Sequence, residues 1–511
     1  MQMEGFKFSA LRPEWIIFLA GMAFCIAQLV VGFSDPLMGE YSFRQTQTAI
    51  STYWIIKGGP WIAYQTPVLG SPWSIPFEFP LYQWFVAIVA KVMPFLSLDE
   101  SGRVVSEFFF ICLMWPMWRI ASYQKHGRSL FLISAGLLLL SPIYAFWSRS
   151  FMVESLVLFL SMWFIASLID FLAEPSACGF AEMAFTAILA ASVKITTFVG
   201  FSFAGTLVVL YFMYRDRAII KDPKQLVKYS AVVTAVALSV LALWAWVHYS
   251  DGLKSENLIG RLYTGSALKK WNFGTLAQRK SLDLMKVIIV RAPNEALGSW
   301  RVAAVITLIA AIKMPRSQFP IYLVLLGLYV VPFLVFTNLH LVHHYYQYAN
   351  SIFLVLSAGY LVYTLIPTKP LMAYTVVALI ALSQMYGYWK YFYQDLVLPN
   401  RELQILLADY IRENTRPADA LVGFGLDWSS EVPYYAERRA LLVPDAVGAE
   451  ALNAIASNPF TFTGGAHIGA VIICPNELTG DPMMSSSYTR LVNSVTHDLK
   501  PHLIGYCTVF S

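Results

Sequence analysis

The sequence predicts a polytopic α-helical membrane protein with a small α/β domain at its C-terminus. The chain has 511 residues, of which 57% are hydrophobic and 13% are charged, whereas a soluble domain typically has about 25% charged residues. Apolar runs of about 20 residues recur through the first 390 positions, and this is the length that a helix needs to cross a bilayer. The net charge of only +5 gives no sign of a nucleic-acid partner, and none is expected.

Twelve apolar runs are candidate spans, and about eleven to thirteen transmembrane helices are expected. The runs are 14–33, 79–97, 104–122, 128–146, 153–172, 179–197, 198–214, 228–248, 300–314, 319–337, 349–366 and 371–389. Lys7 and Arg12 precede the first run, so we expect a retained first helix with a cytoplasmic N-terminus. An external C-terminus then requires an odd number of crossings. We therefore interpret the run 79–97 as a partial or re-entrant segment.

Basic loops orient the predicted spans. Lys and Arg collect in 119–128, 214–228 and 313–316 and at Lys369, and the positive-inside rule assigns these positions to the cytoplasm. The external segments are then 34–78, 146–153, 249–299, 338–348 and everything after residue 390. The loops 34–78 and 249–299 are too polar to span the membrane but rich in aromatic residues, which favours amphipathic helices lying in the interface.

The C-terminal region has a different pattern. We divide the chain into a transmembrane domain, 1–390, and a soluble α/β domain, 391–511, expected in the periplasm. In the soluble domain, short apolar runs alternate with helical patterns; the runs are 420–425, 440–443, 470–474 and 503–510. Cys474 and Cys507 could form a disulfide if this domain is outside the cytoplasm, or they could remain buried thiols.

Ionisable and hydrogen-bonding residues collect on the predicted outer face. Acids and bases at a membrane surface suit a lipid-linked phosphate sugar, because cations hold the phosphate and a carboxylate deprotonates the attacking hydroxyl. A divalent ion held by carboxylates or a His would neutralise the leaving phosphate. The candidate residues are Asp35, Glu40, Arg44, Gln45, Glu78, Arg103, Arg149, Glu154, Lys194, His343, His344 and Tyr345.

Each candidate also has a structural interpretation. Asp35 would end the first helix in water, Glu40 would suit the dipole of the following helix, and Lys194 would snorkel to the interface. Glu78 stands between two Phe residues before an apolar run, where an acid without a function is costly. No spacing forms a strict metal motif, so the functional interpretation depends on the co-location of many residues.

Several segments resemble bacterial GT-C membrane glycosyltransferases, the group that includes the protein O-mannosyltransferases and the lipid A aminoarabinose transferase (ArnT-like, glycosyltransferase family 39). The segments are "YSFRQTQTA", "TPVLGSPWSIPFEFPLYQW", "WSRSFMVES", "SVKITT", "WNFGTLAQR", "HHYYQYAN" and "DWSSEVPYYAERRALLVP". The resemblance covers almost the whole chain. Single motifs are loose, and their order and spacing together carry the specificity.

The resemblance implies a polyprenyl-phosphate-linked sugar donor, inversion at the anomeric carbon, and an active site on the periplasmic face of the bacterial cytoplasmic membrane. The acceptor would be an envelope glycan, lipid or protein. The catalytic base would be an acid of the first outer loop, Glu40 or Asp35, and Glu40 is preferred because it adjoins the FRQ motif. Relatives have an Asp-Glu pair where this chain has Gly39-Glu40.

The resemblance also assigns binding roles. Glu78 matches an acid that can bind a metal. His343, whose alternative role is to cap a helix at the interface, is the second expected metal ligand from its position on the outer face and not from the resemblance. Relatives of the aminoarabinose type follow that acid with a phosphate-binding Lys, whereas here Phe79 follows, so other cations must bind the phosphate. The expected substrate-binding residues are Arg44, Gln45, Arg103, Arg149, Glu154, Lys194, His344 and Tyr345.

Two other classes of function fit parts of the pattern. A lipid-linked sugar transporter should have ionisable residues near mid-span and internal repeats, and a non-catalytic assembly subunit needs no base. A polysaccharide ligase or polymerase uses similar substrates on the same face, generally without metal-binding acids. Metal dependence would help to separate it from a transferase.

Overall fold

A computed structural model describes residues 13–216, 222–397, 402–476, 482–497 and 499–511. Lys7 and Arg12, which support the predicted cytoplasmic N-terminus, lie outside the described residues. Helices dominate the first 397 residues, and strands occur only after residue 419 within the described residues.

The helices up to residue 256 are α1 (Pro13–Val30), α2 (Ser42–Ile56), α3 (Leu81–Val92), α4 (Leu98–Cys112), α5 (Met114–Ser122), α6 (Gly127–Leu140), α7 (Pro142–Trp147), α8 (Glu154–Ala173), α9 (Ala177–Asp216) and α10 (Pro223–Glu256). The next are α11 (Lys269–Phe273), α12 (Leu276–Arg279), α13 (Leu282–Lys286), α14 (Ala292–Leu297), α15 (Trp300–Lys313), α16 (Phe319–Val335), α17 (Thr337–Val342), α18 (Tyr348–Leu365), α19 (Pro370–Tyr391) and α20 (Tyr393–Val397). Short 3₁₀ turns occur at Gly260–Tyr263 and His344–Gln347, and a π-helical turn at Val287–Arg291.

Seven helical segments of the described chain are long and apolar enough to cross a membrane: Pro13–Val30, Leu98–Ser122, Glu154–Ala173, Ala177–Asp216, Pro223–Glu256, His344–Leu365 and Pro370–Tyr391. A further pair, Leu282–Leu297 and Trp300–Lys313, is bent by 96°. Three shorter apolar helices are α3, α6 and α16. The predicted class, a polytopic helical membrane protein, is confirmed.

The helix α3 has only 12 residues, about 18 Å at 1.5 Å per residue. This is shorter than the bilayer core of about 30 Å. The short length agrees with the interpretation of the run 79–97 as a partial segment.

The helix α9 has an extended residue, Lys194, with φ −161° and ψ 95°, in its middle. The Thr186 hydroxyl lies 3.3 Å from that of Ser167, and Gly205 lies against Leu168, one residue along α8. Thr186 and Gly205 would be about 28 Å apart in a straight helix, so the chain turns back at Lys194. The two spans predicted at 179–197 and 198–214 are therefore two arms, and their boundary is Lys194.

The described chain divides by internal contacts into two compact units. The first consists of Met1–Phe33, Ser106–Ala242 and Lys270–Val397, and the second of Ser34–Val105, Leu243–Lys269 and Leu398–Ser511. The division differs from the sequence division at residue 390, because residues 34–105 and 243–269 group with the C-terminal region.

The second unit contains a five-stranded sheet. Its strands are β1 (Ala420–Phe424), β2 (Arg439–Val443), β3 (Ile468–Ile473), β4 (Pro501–Ile504) and β5 (Cys507–Phe510), in the order β2-β1-β3-β5-β4. The strands β1, β2 and β3 are parallel, and β4 and β5 form an antiparallel pair next to β3. The helices of this region are α21 (Glu402–Asn414), α22 (Glu431–Ala436), α23 (Ala449–Ser457), α24 (Pro459–Phe462) and α25 (Pro482–Thr496). The predicted small α/β domain is confirmed, and Cys474 and Cys507 form a disulfide.

The first outer loop pairs with the edge strand of this sheet. The Gly70 N–H donates to the Ala440 carbonyl at 3.0 Å, and the Leu442 N–H donates to the Val68 carbonyl at 2.8 Å. Asn257 holds the same loop, because its side-chain amide donates to the carbonyls of Leu69, Gly70 and Pro72 at 2.9–3.2 Å. This pairing covers the exposed edge of β2 and explains why the loop belongs to the second unit.

The two long loops differ from the predicted interfacial helices. The polar face of α2 is buried, and Thr46 and Thr48, with exposures of 0% and 4%, donate to the backbone carbonyls of the preceding turn. The loop 249–299 does not lie as one surface segment: it begins inside α10, and Leu282–Leu297 is apolar enough to belong to the bent pair. The polarity of these segments predicted a position at the membrane interface. In the folded protein, hydrogen bonds satisfy their polar groups instead.

Candidate active site

The predicted site residues lie in two groups, one in each compact unit. The second unit contains Asp35, Glu40, Arg44, Gln45, Glu78 and Arg103, and the first contains Arg149, Glu154, Lys194, His343, His344 and Tyr345.

Glu40 immediately precedes the helix α2 and is half-buried. The Gln45 side-chain amide donates to the Glu40 carbonyl at 3.0 Å, and Tyr41 adopts a left-handed backbone conformation with φ 50°. Glu40 therefore lies just before the positive end of the α2 dipole, which stabilises a carboxylate. The Gln45 side chain binds the backbone of the loop at this point.

Arg44 and Glu78 form an ion pair, and Arg44 also donates to Gln47. The two charged side chains keep exposures of 16% and 19%, so a ligand can still reach them. The buried Tyr64 hydroxyl donates to the Glu78 carbonyl at 3.1 Å and accepts from the Phe77 N–H at 2.7 Å. The backbone around Glu78 is therefore fixed, and its carboxylate orients Arg44.

Arg103 is 5% exposed and interacts electrostatically with Asp99, Asp35 and Glu100. Asp35 itself is exposed. Asp99 accepts hydrogen bonds from the Tyr434 and Tyr435 hydroxyls at 2.5 and 2.7 Å. Arg103 is therefore near several acids. One of them, Asp99, already accepts hydrogen bonds from two tyrosine hydroxyls.

The C-terminal residues Tyr434 and Tyr435 connect the sheet domain to the first outer loop. The Leu37 N–H donates to the Tyr435 hydroxyl at 2.5 Å. Burial and the Asp99 charge raise the pKa of both tyrosines, so both remain protonated donors. A second connection joins Ser42 to the buried Glu431. These contacts connect "EVPYYAERR" to the first outer loop and to Asp99.

Lys194 and Glu154 form a buried ion pair in the first unit, with side-chain exposures of 5% and 4%. The Lys194 ammonium also lies 5.3 Å from the Tyr345 ring centre and 4.7 Å from the Tyr346 ring centre. The aromatic faces stabilise the buried cation. Lys194 is at the turn between the arms of α9 and Glu154 begins α8, so local structure directs both side chains to one point.

Arg149 belongs to a second buried charge cluster of the first unit. Arg149 is 4% exposed and donates to the Gly32 carbonyl at 2.9 Å. It also interacts electrostatically with Glu107, which accepts a hydrogen bond from the Cys25 thiol at 2.8 Å. Glu154 belongs to the other ion pair, with Lys194.

His343, His344 and Tyr345 lie in an aromatic environment. The His343 ring centre is 6.0 Å from that of Trp271 and 5.5 Å from that of Tyr345. His344 packs edge-on against Trp147 and lies 3.8 Å from the Glu295 carboxylate. These contacts make His344 a candidate hydrogen-bonding group beside the aromatic rings.

The two residues predicted to bind a metal have partners within their own units. Glu78 pairs with Arg44 in the second unit, and His343 packs on aromatic rings in the first. Within the described ranges, no three His, Cys, Asp or Glu side chains are grouped so that they could hold a metal ion.

Sequence reasoning missed several residues of these clusters. Asp99 stands four residues before Arg103, so helical spacing could have indicated their interaction. Glu107 is one more turn along the same helix and could have been noticed as an acid inside an apolar run. Tyr434 and Tyr435 lie in a segment that carries the resemblance, but nothing local indicated their partner Asp99, which is 335 and 336 residues away from them.

Comparison with known proteins identifies the fold. No family model and no curated protein matches the chain by sequence. The solved structure of ArnT from Cupriavidus metallidurans bound to undecaprenyl phosphate is similar, with a TM-score of 0.59 and 12% identity, over 96% of this chain and 97% of that one.

Two other solved structures are similar over 98% of this chain, each with a TM-score of 0.51. The archaeal oligosaccharyltransferase AglB from Archaeoglobus fulgidus, in complex with an inhibitory peptide and a dolichol-phosphate, is 10% identical and covered over 74% of its length. The arabinofuranosyltransferase AftD from Mycobacteria is 14% identical and covered over 40%. The chain therefore has the ArnT-like fold of the GT-C glycosyltransferases.

Proposed function

We propose that this protein is an inverting glycosyltransferase of a bacterial cytoplasmic membrane. It would transfer a sugar from a polyprenyl phosphate, such as undecaprenyl phosphate, to an envelope glycan, lipid or protein at the periplasmic face. The observation that carries the proposal is the fold match over nearly the whole of both chains to an ArnT structure bound to undecaprenyl phosphate. The two clusters of acids and cations supply the required chemistry.

Glu40 is the proposed catalytic base. Its carboxylate would accept the proton of an acceptor hydroxyl while that oxygen forms a bond to the anomeric carbon of the donor sugar. The bond from the anomeric carbon to the phosphate oxygen breaks, and polyprenyl phosphate leaves with the electron pair. The hydrogen bond that fixes the Glu40 backbone supports this role, since a base must be held within reach of its proton.

Cations would bind the phosphate of the donor. Arg44 is the best supported, because Glu78 orients it while the pair remains partly exposed. In the first unit, Lys194 and Arg149 are further candidate cations. Both are deeply buried, and each has a carboxylate near it, Glu154 and Glu107 respectively.

The proposal assigns the second unit to the periplasm. The disulfide between Cys474 and Cys507 supports this position, because disulfides persist outside the reducing cytoplasm. The sheet domain would stand beside the catalytic loop, to which Tyr434, Tyr435 and Glu431 connect it.

The test is a donor assay on the purified protein in nanodiscs. The protein is incubated with a panel of polyprenyl-phosphate sugars and crude envelope extract, and release of free polyprenyl phosphate is followed. We expect release with one donor, and loss of release in Glu40→Gln. An absence of release with every donor would favour the transporter or assembly-subunit interpretation. Full activity of both Glu40→Gln and Asp35→Asn would exclude the proposed base.

A further inference from the structure

Three aromatic residues of the second unit surround Trp428. The Trp428 ring centre lies 5.0 Å from that of Phe43, 5.4 Å from that of Phe77 and 4.5 Å from that of Tyr263. The residues come from three chain segments: the first outer loop, the segment after α10 and the turn after β1. All four side chains are half-buried, so the cluster keeps ring surface available to a ligand.

Buried polar groups hold this cluster in place. Lys254 is 4% exposed, and its ammonium lies 5.4 Å from the Phe77 ring centre. The same ammonium donates to the Tyr263 carbonyl at 3.2 Å and pairs with Asp251 at 2.8 Å. The rings around Trp428 are therefore held in place, so binding of a ligand would cost little conformational entropy of the protein there.

A cavity of about 270 Å³ adjoins the cluster, and Phe43 belongs to both. Gly425, Ser429, Asp445 and Cys474 line the cavity and follow the ends of β1, β2 and β3. The carboxyl ends of parallel strands are where open α/β sheets bind ligands. Typical ligand pockets have volumes of about 300–1,000 Å³, so this cavity suits a single ring better than a chain.

The acidic side chains that line the cavity disfavour the binding of anions. The described lining residues include the carboxylates of Asp427, Glu431 and Asp445, and none of those lining residues is Lys, Arg or His. Carboxylates accept hydrogen bonds from hydroxyl and ammonium groups. The cavity should therefore repel phosphate and carboxylate groups.

We infer that the Trp428 cluster and the adjoining acidic cavity form a subsite for one sugar ring of the acceptor, either uncharged or bearing an amino group. The aromatic faces would pack on the C–H face of the ring, and Asp427 and Asp445 would accept hydrogen bonds from its hydroxyls or amine. This inference rests on the proposed function, because it names the acceptor that the transferase would use. Acceptors that present only anionic groups are excluded from this subsite.

The test is saturation-transfer NMR on the full-length protein in nanodiscs with three probes: methyl α-glucopyranoside, glucosamine and glucuronate. We expect saturation transfer to the first two probes and none to glucuronate. In Trp428→Ala, binding of methyl α-glucopyranoside should weaken at least tenfold. Phe460→Ala, which removes a 57% exposed ring elsewhere in the same unit, is the matched control and should bind as the wild type does.

The variant Asp427→Asn,Asp445→Asn tests the charge argument at two exposed positions, where folding is not at risk. It should bind glucuronate more strongly than the wild type does. Equal binding of glucuronate and glucoside by the wild type, or unchanged binding in Trp428→Ala, would overturn the inference.

The donor assay on the same samples separates this inference from the proposed function. Trp428-dependent sugar binding without any donor turnover would leave the subsite standing and overturn the transferase. Turnover of a polyprenyl-phosphate sugar without Trp428-dependent sugar binding would support the transferase and overturn the subsite.

Discussion

At the scale of single residues, the site depends on how each acid is held. Glu40 is fixed before α2, Glu78 is paired with Arg44, and Asp35 is exposed near Arg103. The three acids therefore differ in their surroundings, and Glu40 is the one that we propose as the base.

The variant Glu40→Gln should lower transfer about 10²–10⁴-fold, the usual contribution of a general base. Asp35→Asn is the matched variant and should lower transfer less than tenfold, because Asp35 is exposed. Initial rates of polyprenyl phosphate release measure both. The reverse order of effects would make Asp35 the base.

The variant Glu78→Gln should lower transfer about tenfold, because Arg44 loses a charged hydrogen-bond partner. Since this effect acts through Arg44, its size should be the same in EDTA and in added Mg²⁺. Rates in both buffers, for wild type and variant, are the measurement. A wild-type response to Mg²⁺ that disappears in Glu78→Gln would instead identify Glu78 as a metal ligand.

Buried His340 should make stability sensitive to acid. Burial, with the charges of Arg291 and Lys194, lowers the pKa of His340 from 6.5 to about 3. Between these two values the unfolded chain binds more protons, so stability falls as pH falls through this window. The melting temperature of wild type should therefore drop more between pH 7 and pH 5 than that of His340→Phe. Equal drops would show that His340 is already protonated or exposed in the folded protein.

At the scale of elements, the turn in α9 contains the cation of the buried ion pair in the first unit. The two arms of α9 pack along α8, and the turn presents Lys194 to Glu154 at the N-terminus of α8. The turn at Lys194 allows both arms of the helix to pack on α8.

The variant Glu154→Gln should destabilise the protein by about 3–5 kcal/mol, because the buried Lys194 ammonium loses its counter-charge. The double variant Glu154→Gln,Lys194→Met removes both charges and should recover most of this loss. Thermal unfolding in detergent measures both variants. A double variant as unstable as Glu154→Gln would show that the pair is not energetically coupled.

At the scale of the whole molecule, the protein combines a helical membrane unit with a unit built from loops and the C-terminal sheet. The second unit is made of three distant segments. The β2 edge pairing, Asn257 and the tyrosine pair at Asp99 connect those segments. The first outer loop is thus part of a folded domain.

Thiol labelling should distinguish the two sides of the membrane. Cys178 is exposed and lies between two spans at a predicted cytoplasmic end, whereas Cys474 and Cys507 form a disulfide. An impermeant maleimide should label Cys178 in inverted vesicles and not in intact cells. The disulfide pair should be labelled in spheroplasts only after reduction, which should also destabilise the second unit by roughly 3–4 kcal/mol. Labelling of Cys178 in intact cells would reverse the proposed orientation.

The sequence by itself determined the fold class, most spans and the strands of the C-terminal sheet. These depend on local hydropathy and periodicity, which survive any arrangement of the elements. The resemblance in motifs also led to the GT-C fold without significant sequence matches.

The partners of the polar residues can be identified only from the tertiary structure. Arg44 and Glu78 are 34 residues apart, Lys194 and Glu154 are 40 apart, and Tyr435 and Asp99 are 336 apart. A sequence pattern shows how polar a segment is. It does not show which groups form hydrogen bonds or ion pairs with the polar side chains of that segment. The burial of α2, the disulfide and the Trp428 cluster follow from long-range contacts, and those contacts exist only once the chain has folded.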